Sequence, residues 1–412
     1  MKILWVKAER LLPVQNGGNI RSYHIAQYLS GRHDLTFLSY YGGPRDLKYE
    51  AELESQFPNS VCLCTGKPER SSIGKLFDYM RHISDPMPYA ISRFRSSLVE
   101  KRLRQDFERQ IYGVVVCDFL DAAVNFPEVL NLPTVLFQHN VESEIWRRHA
   151  SNDSGLLKKQ AYRTEFSKMQ RYEQKMVRHF HHVIAVSEND RKLMSAWVDP
   201  SRISVVATGV DLRQFRSDLA QTAAQPLVIF VGAMDWMPNV DAVEFFCREL
   251  WPAVVQRVPG ARFRIVGRNP AARVQRLASA NVEVTGLVPS VVEHLRKAAV
   301  VVVPLRVGGG TRLKIYEAMA MGRAVVSTSV GAEGLDVCDG KDIVLADDPS
   351  SFSEAVVTML EDISSRRRYE RAAAESAARF DWPAVGARFE EVLAGQLSSR
   401  FAENAEFMRT MA

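Results

Sequence analysis

Residues 298–322 read Ala-Ala-Val-Val-Val-Val-Pro-Leu-Arg-Val-Gly-Gly-Gly-Thr-Arg-Leu-Lys-Ile-Tyr-Glu-Ala-Met-Ala-Met-Gly. The apolar run Ala298–Val303 has the composition of a parallel strand buried on both faces. It breaks at Pro304, passes through three consecutive glycines, and re-enters a helical period at Leu313, Tyr316 and Ala320 that stops at Gly322. A strand, a glycine turn and a helix in that order bring unpaired backbone N–H groups and the positive end of a helix dipole to one place, which suits an anion. Arg312 and Lys314 stand in the first turn, where the dipole disfavours cations, so an anionic ligand accounts for their position. The segment reads as a phosphate cradle.

The same alternation runs through the chain. Short apolar strands are predicted at Ile3–Val6, Leu35–Ser39, Ser60–Leu63, Val114–Cys117, Thr134–Phe137, His182–Val186 and Ile203–Val206. Further strands are predicted at Leu227–Val231, Arg262–Val266, Val282–Thr285, Val300–Val303, Ala324–Ser327 and Ile343–Leu345. Helical patterns lie between them, which calls for parallel sheets with helices on both faces, an α/β architecture. The pattern lapses at 212–226, a polar, alanine-rich piece that reads as a linker. On this reading residues 1–211 and 227–380 are two doubly wound, Rossmann-like domains facing across a cleft. Residues 381–412 are closing helices that pack back toward the N-terminal domain. Such sheets bind ligands beyond the carboxyl ends of their strands, so each domain is expected to hold one substrate.

A length of 412 residues fits two domains, and 46% hydrophobic with 25% charged residues excludes disorder. No apolar run approaches the roughly 20 residues of a membrane span, and Met-Lys-Ile-Leu-Trp-Val-Lys reads as a first strand instead of a secretory signal. The five cysteines are scattered without zinc-type spacing, which points to free thiols in a reducing cytoplasm. The net charge of +5 is concentrated. Between Arg147 and Arg178 there are nine Lys/Arg against three acids, and a second basic stretch spans Lys67–Arg109. Leu156, Tyr162, Phe166, Met169, Tyr172 and Met176 recur at helical spacing, so an amphipathic helix with a basic face is expected. That face is either simply solvated or docks on an anionic membrane surface at the inner face of the membrane. No nucleic-acid motif accompanies the charge.

Several ordered motifs accompany the cradle: Asn-Gly-Gly-Asn-Ile-Arg (16–21), Gln-His-Asn-Val-Glu (138–142), Val-Ser-Glu-Asn-Asp (186–190), Val-Gly-Ala-Met-Asp-Trp-Met-Pro-Asn (231–239), Arg-Ile-Val-Gly (264–267) and Val-Thr-Gly-Leu-Val (284–288). In this order and at these separations the chain resembles the retaining, nucleotide-sugar-dependent glycosyltransferases of the glycosyltransferase-B fold, often called group 1 or family four. The resemblance implies transfer of a sugar from a nucleotide-diphospho-sugar to a glycan, lipid-linked or other hydroxyl acceptor, with retention of configuration, in polysaccharide biosynthesis. It implies His139, Lys314 and Glu317 as catalytic residues. It implies a donor site of Gly17, Gly18, Gly232, Asn239, Gly267, Arg268, Leu287, Val288, Arg306, Gly308, Gly309, Gly310, Thr311, Arg312, Lys314 and Glu317. Glu317 matches the second acid of the family's Glu-x7-Glu signature, which holds the donor ribose; a carboxylate can accept from both hydroxyls of a vicinal diol. The first acid of that signature falls at Gly309, a departure that leaves backbone amides of Gly309, Gly310 and Thr311 to meet the sugar. No cation occupies Gly232-Ala233-Met234, where relatives carry an arginine, so diphosphate neutralisation falls to Lys314, Arg312 and Arg306. Glu142 and Glu144 are accounted for by helix-start stabilisation.

No metal or other cofactor is expected, since Asp-x-Asp is absent and His179, His181 and His182 lack carboxylate partners. Two alternatives remain open on the sequence alone: a nucleotide-sugar epimerase or hydrolase on the same fold, and a catalytically silent scaffold subunit. A nicotinamide oxidoreductase is disfavoured because no Gly-x-Gly-x-x-Gly follows a first strand.

Overall fold

The computed structural model describes the chain except residues 15, 68–78, 80–81, 83, 153–155, 220–224, 308–311 and 412, and except the side chains of 149, 151–152, 156–158 and 399–411. It divides into two compact units, Met1–Val206 with Val385–Ala412, and Ala207–Ala384.

Among the described residues the first unit carries seven strands: β1 Lys2–Ala8, β2 Asp34–Tyr41, β3 Val61–Cys64, β4 Val114–Asp118, β5 Thr134–Phe137, β6 His182–Ala185 and β7 Ile203–Val205. They pair in parallel, in the order β3-β2-β1-β4-β5-β6-β7. The second carries β8 Leu227–Val231, β9 Arg262–Val266, β10 Val282–Gly286, β11 Val300–Val303, β12 Ala324–Ser327 and β13 Val344–Leu345, ordered β10-β9-β8-β11-β12-β13. Each of the thirteen segments expected from composition is a strand, with ends displaced by two residues or fewer. β11 is buried along its whole length, which is why it consists of valine alone.

Both sheets reverse their strand order once, between β1 and β4 and between β8 and β11. Crossovers leave in opposite directions there, opening a crevice at the carboxyl ends of those strands. Sheet topology thus nominates two places for chemistry, one per unit.

The segment read as a linker packs within the second unit over its described residues. Phe215 is buried in that unit's core and Leu212 packs against it; just before the segment, Val210 N–H donates to Phe380 O at 2.8 Å. Residues 220–224 lie outside the described residues. The tail is one helix, Trp382–Met411. Its Phe389 ring fits against Trp5 and Phe137, at centroid distances of 5.5 and 5.1 Å. Glu390 accepts from Tyr28 Oη, Arg32 Nε and His33 Nε2 at 3.2, 3.1 and 2.7 Å. A buried aromatic knob with a charged clamp beside it explains why the last residues belong with the first unit.

Candidate active site

At the second unit's switch point the helix Leu313–Ala320 follows β11. Its inner face, Ile315, Tyr316, Ala318 and Met319, is buried in the core, and Tyr316 stacks on Phe380 at 4.5 Å. Anchoring that face turns Lys314 toward the end of β8. Lys314 Nζ lies 4.3 Å from the centre of the Phe230 ring and donates to Asn239 Oδ1 at 2.8 Å. Asn239 is buried in the helix Met237–Phe245, and its Nδ2 donates to Ala233 O at 2.9 Å. The amide therefore ties the ammonium to the turn after β8.

Two glycines at these strand ends leave no free space for a Cβ. A Cβ on Gly232 would stand 2.6 Å from Asn239 Nδ2 and 2.8 Å from Lys314 Nζ. A Cβ on Gly267, at the end of β9, would overlap the Gly232 carbonyl oxygen. The two glycines let neighbouring strand ends close together and leave Lys314 at the surface of the crevice.

Burial is the main influence on both charged groups of this helix. It pushes the Lys314 ammonium down to about 7, with nearby Arg312 adding to the effect and Glu317 opposing it. It pushes the Glu317 carboxyl up to about 7, with Lys314 opposing. A cation held near neutrality by burial gains charge when an anion arrives, because the anion supplies the compensation that water no longer gives.

The other expected donor residues are dispersed in their commitments. Arg312 caps the helix Leu313–Ala320 from its N-terminal side, is buried, and lies 5.8 Å from the Trp236 ring. Arg306 forms a two-pronged pair with Asp241 at 2.6 and 3.1 Å and lies over Phe245, so its fork is already engaged. Arg268 O accepts from Met234 N–H at 2.9 Å, and Gly267 N–H donates to Gly286 O at 3.3 Å. Val288 packs against the core, whereas Leu287 is 79% exposed. Gly308, Gly309, Gly310 and Thr311 lie outside the described residues.

The first unit's switch point is equally built. Gly17 and Gly18 open the helix Gly17–Ser30, capped by Asn16, whose Oδ1 accepts from Asn19 N–H at 2.8 Å. The Asn16 cap starts the helix at these glycines. His139 follows β5, is buried, and places Nε2 2.8 Å from Asp118 Oδ1. Trp5, Lys7 and Asp118 complete this cluster, and residue patterns alone passed over them. Their signal was present: Asp118 closes the otherwise apolar β4, and Lys7 is a buried charge next to the last residue of β1.

Asp121, Glu142 and Glu173 form a second group of acids in this unit, all raised by burial. Burial, reinforced by Asp121 and Glu173, pushes the Glu142 carboxyl up to about 8, well beyond the helix-start role read from sequence. A folded-state value raised from 4.5 means the native protein is penalised at alkaline pH and relieved as pH falls. Glu142→Gln is therefore expected to raise the Tm at pH 8.5 and to lose that advantage by pH 5, in paired thermal melts. An equal effect at both pH values would show that Glu142 carries no such penalty.

A family model for group 1 glycosyl transferases matches residues 225–362, and one for family 4 glycosyltransferases matches residues 15–214. A Klebsiella pneumoniae protein named for its place in a cps region is 21% identical over 384 residues, which cover 89% of this chain and 92% of that one. The D-inositol 3-phosphate glycosyltransferase of Frankia alni is 30% identical over 45% of this chain, and the phosphatidyl-myo-inositol mannosyltransferase of Mycobacterium tuberculosis 28% over 51%. The chain matches only 51% and 58% of those two proteins' lengths. Among solved structures, Thermosynechococcus elongatus sucrose-phosphate synthase superposes with a TM-score of 0.70 at 15% identity, covering 97% of this chain and 99% of that one. Anabaena HepE in complex with UDP-glucose superposes at 0.65 and 16%, covering 96% and 100%. With both halves matched by family models and the fold shared along nearly the whole chain, this protein belongs to the group 1 glycosyltransferases of the glycosyltransferase-B fold.

Proposed function

We propose that this glycosyltransferase takes its sugar from a nucleotide-diphospho-sugar bound by the second unit, and that Lys314 receives the diphosphate. The observation that carries this reading is the Lys314–Asn239–Ala233 chain over the Gly232–Gly267 floor at a strand-order reversal. It offers one aimed cation above a surface stripped of side chains, which suits a phosphate. The HepE structures that share the fold hold UDP and UDP-glucose, which nominates a nucleoside diphosphate.

In the proposed reaction the bond from the sugar's anomeric carbon to the diphosphate oxygen breaks, and a bond from that carbon to the acceptor oxygen forms on the same face. The departing phosphate oxygen takes the acceptor proton, so configuration is retained without a carboxylate nucleophile. Negative charge grows on the leaving group, and fixed cations stabilise it more in the transition state than before it. Lys314 and Arg312 supply that stabilisation without a metal cofactor, and Glu317 takes the ribose hydroxyls.

The acceptor is a glycan or lipid-linked hydroxyl, in line with the relative from a cps region. No described helix is long and apolar enough to cross a membrane. On the helix Leu156–His179, Arg163, Arg171, Lys175 and Arg178 are exposed, while Glu165 and Glu173 are buried. This one-signed outer stripe supports peripheral contact with an anionic cytoplasmic membrane surface.

A panel of UDP-, GDP- and ADP-sugars read by thermal shift tests the proposal, because a ligand at 100 times its Kd stabilises by about 2.7 kcal/mol. One nucleotide class should stabilise the protein and be consumed only with acceptor, with chelator leaving the rate unchanged. NMR of the product should show retention. Binding should weaken as pH rises through about 7, since Lys314 loses its proton there in the unliganded protein. Failure of every nucleotide sugar to bind or transfer would sink the reading, and donor consumption without acceptor would favour a hydrolase or epimerase.

A further inference from the structure

Two arginines flank Gly308-Gly309-Gly310 in sequence, and the fold gives them different partners. Arg306, before the glycines, is held by the Asp241 carboxylate at 2.6 and 3.1 Å. Arg312, after them, is buried with its guanidinium carbon 5.8 Å from the centre of the Trp236 ring. A carboxylate cancels the charge of the cation it holds, whereas a ring face orients a cation and leaves its charge in place.

Lys314 follows the second pattern, with Nζ 4.3 Å from the centre of the Phe230 ring. Phe230 belongs to β8 and Trp236 to the loop that follows it, so one strand and its loop supply both ring faces. Arg312 lies close enough to Lys314 to help push its ammonium down. Two like charges at a helix N-terminus repel each other and the helix dipole, and they stay together only where neighbours offset that cost.

The backbone fixes Trp236 in place. It immediately precedes the helix Met237–Phe245, and its carbonyl accepts from Asn239 N–H and Val240 N–H at 3.0 and 3.2 Å. The loop before it is stapled to the turn after β9. Met234 N–H donates to Arg268 O at 2.9 Å, Ala271 N–H to Met234 O at 3.3 Å, and Asn269 Nδ2 to Asp235 Oδ2 at 2.9 Å. Met234 anchors this loop in the core, but Trp236 is 42% exposed, too far out to serve the core itself. What the indole meets is Arg312.

We propose that Trp236 is a positioning residue of the diphosphate site: its indole face holds Arg312 beside Lys314 before the donor arrives, so that two preset cations meet the leaving group. The role rests on the donor reading above; the pairing of indole and guanidinium does not. Arg312 acts most strongly as charge builds on the departing diphosphate, so loosening it lowers kcat by more than it raises KM.

The test is a double-mutant cycle in the full chain: Trp236→Leu, Arg312→Gln and the two together. Each chain is read by calorimetry for its Kd toward UDP, GDP and ADP, and by kcat and KM for the nucleotide sugar that the wild type turns over. Arg312→Gln should weaken the bound diphosphate roughly 10- to 100-fold and Trp236→Leu roughly 3- to 10-fold, with the Tm of the latter unchanged. The double variant should bind no worse than Arg312→Gln alone. Trp236→Phe keeps a ring face and should recover most of the loss. Arg306→Gln should cost less than Arg312→Gln, since Asp241 already holds that charge.

Losses that add in the double variant would give Trp236 a role apart from Arg312 and overturn the proposal; so would a Trp236→Leu effect confined to KM. The pairing itself is read without ligand in the chain labelled with 15N-arginine, where the Arg312 Nε–H signal is the one lost in Arg312→Gln. Removing the indole's ring current should move that signal in Trp236→Leu, and an unmoved signal overturns the pairing. A signal that moves in a chain binding none of the three diphosphates would refute the donor reading and leave the pairing standing.

Discussion

Lys314→Ala lowers kcat/KM by roughly 10²–10³-fold, the usual cost of removing one preorganised charge-stabilising group. Two effects compete for this residue. The lost hydrogen bond strands Asn239 Oδ1, which costs about 1–3 kcal/mol of stability. The lost charge acts on the leaving diphosphate, whose negative charge is greater in the transition state than in the bound donor, so kcat falls by more than KM rises. Lys314→Gln keeps an N–H donor for Asn239 Oδ1 without the positive charge, so it separates the two. Its Tm should stay near that of the wild type while its turnover matches Lys314→Ala. Glu317→Ala should also lose orders of magnitude, through the donor ribose. Rates within a few-fold of wild type in both Lys314→Ala and Glu317→Ala would remove this helix from the reaction.

Gly267→Ala is the largest stability change expected in the second unit. Its methyl would overlap the Gly232 carbonyl oxygen, a backbone atom that no rotamer change can move aside. Gly232 N–H is itself bonded to Val266 O at 3.0 Å, so the two strand ends cannot separate without breaking that ladder. Overpacking of this kind costs about 1–3 kcal/mol even where side chains give way, and backbone overlap belongs at the upper end or beyond. For a unit of this size that is a fall in Tm on the order of 5–10 °C. Displacing Gly232 also shifts Ala233, whose carbonyl holds Asn239 and through it Lys314. Nucleotide stabilisation should therefore disappear with the lost Tm. Gly260→Ala is the control: its Cβ would meet only Pro226 Cγ at 3.9 Å, and it should leave both melting and binding unchanged. Equal behaviour of the two variants would show that the strand ends are not closed together as described.

The strands were legible because each is a short apolar run set off by polar turns, and parallel strands buried on both faces need no alternation. Helix Leu313–Ala320 was legible from its period, with Gly322 stopping it at a φ of +64°. The boundary at 212–226 was misjudged. A polar stretch with one phenylalanine looks like a linker, yet burial of Phe215 and the packing of Leu212 tie its start to the second unit's core. Arg306 was expected to help neutralise a diphosphate, and what the sequence did not show is its pairing with Asp241, 65 positions away.

What the amino-acid order determined by itself was local: thirteen strands, the helix after the glycine turn, and the placement of Lys314 and Glu317 on that helix. Those features follow from propensity and period, which act over a few residues. Tertiary structure alone decided which distant groups meet. Asn239 reaches Lys314 across 75 positions, Gly267 lies against Gly232, and Trp5 donates to Asp118 across 113. Such contacts depend on strand order. Here both sheets place their first strand beside their fourth, and only that reversal brings Lys7 to Asp118 and the turn after β8 to the helix after β11.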